Sequence, residues 1–367
     1  MSYIFILLGI LLLIKGGDYL IEGSVVIARR AKLSPMIIGL TVIGFGTSMP
    51  ELCVSAQAAW TGSSGIALGN VAGSNISNIA LILGVTALIH PIPAKPDILR
   101  RGMPVFVLAL CIIIAVAVNG TIERWMGMTM VGLLIIYLTV EIRRSRKIEA
   151  AKRKTVSTKV SKNASSPAEE ISIESTKDAS SPAEEISIES TKDASSSADV
   201  NETDSVNDMP LWKALSVVIL SLAAMVWGSD MLVSGASDIA HTIGDSMGVD
   251  PVAMERIIGL TIVAVGTSLP ELCASVIAAR KGETDMAVGN IIGSGIFNIL
   301  CVVGVASSIS PIHNSWHPFA LDYIVQLGLC LLLWLFLRTN HLLQRWEGAI
   351  FTTIYVSYIL FVLYSAS

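Results

Sequence analysis

Long apolar runs separated by short polar breaks dominate the chain. Ten of them approach the roughly 20 residues that an α-helix needs to cross a bilayer. They lie near 3–28, 36–60, 66–89, 102–118, 125–141, 211–238, 252–279, 285–310, 318–337 and 347–365. The pattern predicts an all-α, polytopic membrane protein with five transmembrane helices on each side of one polar insert. The opening stretch, MSYIFILLGILLLIKGGDYL, lacks a basic leader and a small-residue cleavage site, so it reads as a retained first span.

The chain then divides into a first half (1–141), an insert (142–210) and a second half (211–367). The insert repeats SSPAEEISIESTKDA unchanged at 165–179 and 180–194. Rich in Ser, Glu, Pro and Lys and without aromatics, it has too little apolar surface to fold alone, which predicts a disordered loop. Its basic start, 143–154, is expected to lie along anionic lipid headgroups. Its carboxylates match no EF-hand spacing.

Charge sharpens this picture. Only 15% of the 367 residues are charged, against about 25% in soluble domains. Residues 142–209 hold 24 of the 54 charges, which leaves too few elsewhere for a water-facing surface. The short loops alternate. Arg29, Arg30 and Lys32, then Lys95, Arg100 and Arg101, then Arg280 and Lys281, then Arg338 and Arg345 mark one side, and the opposite loops are almost bare. Positive charge gathers on the cytoplasmic side, so both termini are expected outside and the insert in the cytoplasm; Arg256 alone fits poorly. With no organelle address visible, the expected location is the plasma membrane. Nothing suggests nucleic-acid binding or an obligatory protein partner. Cys53, Cys111, Cys273, Cys301 and Cys330 lack metal spacing and read as buried packing residues.

A longer repeat carries the chemistry. Residues 39–84 align with 259–304 at a constant offset of 220, with 23 of 46 positions identical. Five spans separate the copies, so they cross the membrane in opposite directions, as in secondary transporters with a midplane site. The identities include Thr, Ser, Glu and Asn, which are costly in lipid. In GTSMPE and GTSLPE, Pro50 and Pro270 lack an N–H and are expected to free the carbonyls of Gly46 and Gly266 and open the helix. Thr47 with Glu51, and Ser74 with Asn78, stand four apart, as do Thr267 with Glu271 and Ser294 with Asn298. Carboxylates, hydroxyls, amide oxygens and freed carbonyls are hard donors that suit Ca²⁺ and Na⁺. No histidine lies in these segments, and no nucleophile–base pair points to an enzyme or an organic cofactor. Lys15 and Asp18, three apart in the first span, are candidates to pair; Asp18 and Asp230 are read either as part of an entry path or as interfacial.

With GTSMPE and GNVAGSNISN in one copy and GTSLPE and GNIIGSGIFN in the other, the sequence resembles the cation/calcium exchanger superfamily, most closely its prokaryotic sodium/calcium exchangers. The resemblance covers both repeats and the ten-span layout, but not the insert. It implies Glu51 and Glu271 as shared calcium and sodium ligands, with Thr47, Thr267, Ser48 and Ser268 beside them. It further implies Ser74 and Ser294 at flanking sodium sites, with carbonyls near Gly44 and Ala264, and Asn78 and Asn298 at the centre. The first and sixth spans would slide across the core to switch access. Some relatives, including the potassium-dependent exchangers, carry Asp where Asn298 stands, so potassium coupling is not expected. The family's three-for-one coupling would make transport electrogenic. A Ca²⁺/H⁺ antiporter is the nearest alternative, and a cation channel or sensor the alternative of another class.

Overall fold

The computed structural model describes residues 2–62, 64–93, 96, 98–164, 209–247, 264–313, 316 and 319–366. In order, its helices are α1 (Ser2–Ala31), α2 (Pro35–Ile38), α3 (Gly44–Thr47), α4 (Met49–Trp60), α5 (Ser64–Ile76), α6 (Gly84–Ile89), α7 (Met103–Val118) and α8 (Arg124–Ala164). After the insert come α9 (Leu211–Met247), α10 (Ala264–Thr267), α11 (Leu269–Arg280), α12 (Thr284–Phe297), α13 (Gly304–Ile309), α14 (Ala320–Asn340) and α15 (Arg345–Ala366). Wider π-helical turns join α2 to α3, α5 to α6 and α12 to α13, and one precedes α7. Residues 165–208 of the insert, with its tandem duplication, lie outside the described residues, as do Lys95, Arg256 and residues 252–263 of the seventh expected span.

Seven helical stretches among the described residues are long and apolar enough to cross a bilayer. The pair 35–47 and 49–60, bent by 46°, makes an eighth span. The pair α10–α11 is its counterpart in the second half. The last helix, α15, has 22 residues, about 33 Å at 1.5 Å per residue. It is long enough to cross, although Thr352, Thr353, Tyr355, Ser357 and Tyr358 make it less apolar. The all-α architecture expected from the apolar pattern is therefore present.

Two expectations need correction. The helix of the fifth span does not end at 141, because α8 runs 41 residues from Arg124 to Ala164, about 60 Å in all. Glu, Ala, Lys and Arg crowd 141–154, and these are strong helix formers, so the insert begins as a helical extension rather than as disorder. Nor are all the cysteines buried. Only Cys330 is, while Cys53 and Cys111 are exposed, Cys273 and Cys301 are half-buried, and all five are free thiols.

The inversion is visible in how α1 meets α9. Gly9 abuts Gly228 and Leu232, Gly16 abuts Ser221 and Met225, and Gly23 abuts Ala214 and Val218. Numbers rise on one helix as they fall on the other, so the pair is antiparallel. Small residues let two apolar helices approach closely in lipid, where hydrophobic burial adds little.

Buried side chains form two clusters. The larger joins both repeats to the outer helices through Ile76, Ile79, Leu83, Ile292, Ile296, Val303, Phe106 and Phe351. The smaller unites α1 and α9 with the face of α11, through Leu20, Ile21, Val218, Met225 and Ala278. Two short antiparallel pairings clip loops together, Ile92–Pro93 with Leu342–Leu343 and Thr121–Ile122 with Ile312–His313.

Candidate cation-binding site

Each repeat breaks its first helix at the same serine. Ser48 has φ −85° and ψ 6°, and Ser268 has φ −92° and ψ 3°. Both sit in the sparsely used bridge region between helix and strand. Pro50 and Pro270 then fall at the second position of the new helix, where a missing N–H costs nothing. Glu51 and Glu271 follow within the first turn, so each carboxylate lies at the positive end of a helix. Of the two carbonyls expected to be freed, that of Gly266 accepts the Ser229 hydroxyl of α9. That of Gly46 is taken by a backbone N–H at the cap of α3.

The break alters which groups meet. Counted along a continuous helix, Thr47 would share a face with Glu51. Instead the Ser48 hydroxyl donates to Glu271 Oε1, the carboxylate of the other repeat, at 3.4 Å, and the Thr47 hydroxyl lies 3.3 Å from Asn290 Oδ1, also of the other repeat. Ser74 Oγ, on α5, donates to Glu51 Oε1 at 3.4 Å. Ser294 Oγ on α12 donates to the Gly44 carbonyl at 3.3 Å and contacts Thr47 Oγ1 at 3.4 Å. The two carboxylates are 1% and 0% exposed, and each lies in the other's field.

Of the twelve residues singled out from the sequence, Glu51, Glu271, Thr47, Ser48, Ser74, Ser294 and Gly44 thus belong to connected clusters that span both repeats. Ser268, Asn78 and Asn298 are buried beside them. Thr267 ends α10 at the position matching Thr47, and Ala264 opens that helix. Both π-helical turns after α5 and α12 begin at the central asparagines or next to them, at Ser77 and Asn298. Such turns often mark functional sites.

The structure adds residues that the sequence analysis passed over. Asn70 Nδ2 donates to the Glu51 carbonyl at 3.1 Å and to Ser55 Oγ at 2.9 Å. Asn290 Nδ2 does the same for the Glu271 carbonyl at 3.4 Å and Ser275 Oγ at 3.0 Å. These amides tie the second helix of each repeat to the turn that carries the glutamate. All four are identities of the repeat, so the signal was present. Asn75 is a further addition, bonded to Asn298. Asp18 pairs not with Lys15 but with Lys281, at 3.3 Å, alongside Glu22 at 2.9 Å.

The repeats interlock through backbone contact. A Cβ on Gly293 would stand 2.7 Å from Leu40 Cα, and one on Gly39 would stand 2.9 Å from Met286 Cα. Close approach here holds Gly44 and Thr47 against Ser294 and Asn290.

Comparison with known proteins shows the family. The family model described as sodium/calcium exchanger protein matches residues 1–143 and 213–364. The chain is 32% identical to the sodium/calcium exchanger MaX1 of Methanosarcina acetivorans over 366 residues, covering 99% of each. It is 30% identical to the inner membrane protein YrbG of Escherichia coli, over 88% of this chain and 84% of that one. Among solved structures it resembles the sodium-calcium exchanger NCX_Mj soaked with sodium and calcium, with TM-score 0.72 and 28% identity over 98% and 97% of the two chains.

Proposed function

The chain belongs to the sodium/calcium exchanger family, a family of multi-pass membrane proteins, and from that premise we propose that it is an antiporter carrying Ca²⁺ against Na⁺. The buried centre supports the reading most strongly. Oε2 of Glu51 and of Glu271, Oδ1 of Asn78 and of Asn298, and Ser268 Oγ are all cut off from solvent without a hydrogen-bond partner. A buried polar atom left unpaired costs about 1–3 kcal/mol, and more when charged. Five such oxygens on the paired motifs of the two repeats are therefore unfavourable unless a cation serves them. Ca²⁺ takes six to eight oxygen ligands. Among the described residues no three His, Cys, Asp or Glu side chains cluster, so the donor set is neutral apart from two carboxylates and suits an ion that must leave again.

In this reading Glu51 and Glu271 bind either ion. Thr47, Thr267, Ser48, Ser268, Ser74, Ser294, Asn78 and Asn298 add neutral oxygens, and Gly44 and Ala264 add carbonyls. Occupancy by Ca²⁺ excludes Na⁺ because both need the same carboxylates. One Ca²⁺ neutralises the pair, whereas three Na⁺ would leave one positive charge, so three-for-one exchange moves charge and responds to voltage. With asparagine at both central positions, K⁺ is not co-transported. The α1–α9 pair rests on its own apolar cluster and slides over the core, exposing the site to each side in turn. A neutralised cluster passes an apolar barrier far more cheaply than a bare carboxylate pair. No covalent step, organic cofactor or obligate protein partner enters. The basic loops favour an insert in the cytoplasm and both termini outside the cell membrane.

The test is ⁴⁵Ca²⁺ uptake into Na⁺-loaded proteoliposomes diluted into Na⁺-free buffer at clamped pH. Uptake driven by the Na⁺ gradient and stimulated by an inside-positive potential is expected, since one net positive charge leaves per cycle. Uptake that follows only a pH gradient would replace Na⁺ with H⁺ as the counter-ion. Uptake indifferent to both gradients would defeat the antiport reading.

A further inference from the structure

At the centre of the site the two repeats are not equivalent. Asn78 and Asn298 correspond under the 220-residue offset, and both are buried. The Asn298 Nδ2 donates to Asn75 Oδ1 at 3.1 Å, and Asn75 Nδ2 donates to the Gly295 carbonyl at 3.5 Å. The Asn75 amide thus bridges both ends of one turn of the opposite repeat, and it is itself 0% exposed. With its nitrogen engaged, Asn298 has its Oδ1 turned away from Asn75, buried and unpartnered. Asn78 has no such tether, and both its Oδ1 and its Nδ2 are buried without a partner.

One position accounts for the difference. The residue matching Asn75 in the second repeat is Gly295, which has no side chain to reach back to Asn78. The Phe106 ring occupies the space that a Cβ at 295 would need. The asymmetry is therefore built into the packing.

We propose that Asn75 is a positioning residue for ion exchange: it holds the Asn298 nitrogen so that the Asn298 carbonyl oxygen faces the ions, while no hydrogen bond fixes the Asn78 amide. The inference rests on reading this centre as the cation site. A primary amide offers a carbonyl oxygen at one end and N–H donors at the other, and only the oxygen attracts a cation. An untethered amide spends part of its time with the wrong end inward, which scales apparent affinity by the fraction of time the oxygen faces the ions. One fixed and one adaptable amide oxygen also suit a site that must accept Ca²⁺, with its many ligands, and Na⁺ in turn.

The experiment compares Asn75→Ala, Asn75→Ser and wild type, each alone and combined with Asn298→Asp, by Na⁺-driven ⁴⁵Ca²⁺ uptake over a range of both ions. Serine keeps a polar group, but its oxygen stops one bond short of the Asn75 Oδ1 position, so this variant serves if the alanine one fails to fold. Loss of the tether is expected to raise the half-saturating concentration of at least one ion about tenfold, with the maximal rate within about twofold of wild type. A carboxylate presents oxygen on both branches, so in the Asn298→Asp background the same Asn75 substitutions should shift affinity less than about twofold. Unchanged affinities for both ions, or an equal shift in the Asn298→Asp background, would overturn the positioning role. Absence of Na⁺-driven uptake in wild type would instead overturn the antiport reading. Ca²⁺-induced thermal stabilisation in detergent gives a second readout of affinity that does not depend on transport.

Discussion

Gly293→Ala adds one methyl group where the second repeat's α12 presses on the backbone entering α3. The new Cβ would lie 2.7 Å from Leu40 Cα and 2.9 Å from its carbonyl carbon, whereas ordinary carbon contacts need about 3.5–4.0 Å. Backbone cannot rotate away as a side chain can, so the two repeats must part by about 1 Å. Overpacking of this kind costs about 1–3 kcal/mol. The same shift separates Ser294 Oγ from the Gly44 carbonyl and from Thr47 Oγ1, contacts already at 3.3 and 3.4 Å. Affinity should therefore fall together with stability. Gly328→Ala is the control, because Gly328 is helical, exposed and has nothing within 4 Å of the added carbon. There alanine's higher helix propensity should leave the protein unchanged or more stable by up to about 1 kcal/mol. In thermal unfolding in detergent, Gly293→Ala should lower the midpoint by roughly 3–10 °C and reduce the Ca²⁺-induced stabilisation, while the control does neither. Equal midpoints and equal Ca²⁺ responses in the two variants would show that interlocking of the repeats does not set the geometry of the site.

Other expectations come from single contacts. Asn290→Ala removes the amide that holds the Glu271 carbonyl and Ser275; it should cost about 1–3 kcal/mol in thermal unfolding and weaken Ca²⁺ binding, and Asn70→Ala should act alike on the other side. Ser229→Ala leaves the Gly266 carbonyl without the hydroxyl that serves it, so uptake rate should drop at unchanged expression and monodispersity. Lys281→Gln breaks the half-exposed link to Asp18 and Glu22. Such pairs contribute about 0–1 kcal/mol, so stability should barely move, and a changed exchange rate at constant ion affinity would place that link in the motion of α1.

Much of this was legible in the chain itself. Apolar length revealed the spans, and the 220-residue offset revealed the paired Thr, Ser, Glu and Asn, because polar residues are expensive at membrane depth. The offset could not show that Ser48 serves the glutamate of the other repeat, or that Thr47 meets its Asn290. That depends on a break at Ser48, which abolishes the four-residue face assumed from a continuous helix. Asn75 was invisible for the opposite reason: its counterpart is Gly295, so a search for identities passes over it. The Asp18–Lys281 link joins residues 263 apart, and no local spacing announces it. The α8 extension was misjudged because polarity was read as disorder, although Ala, Glu, Lys and Arg also favour a solvated helix.

The central claim is that one buried carboxylate pair serves both ions and cannot serve them together. Equilibrium ⁴⁵Ca²⁺ binding to the purified protein, titrated with Na⁺ at constant ionic strength, tests it directly in wild type and Glu271→Gln. The account predicts that Na⁺ displaces Ca²⁺ completely and with a steep concentration dependence in wild type. Glu271→Gln should weaken Ca²⁺ binding about a hundredfold or more, since it removes half of the site's formal charge. Ca²⁺ that stays bound at saturating Na⁺, or that binds Glu271→Gln as tightly as wild type, would contradict it.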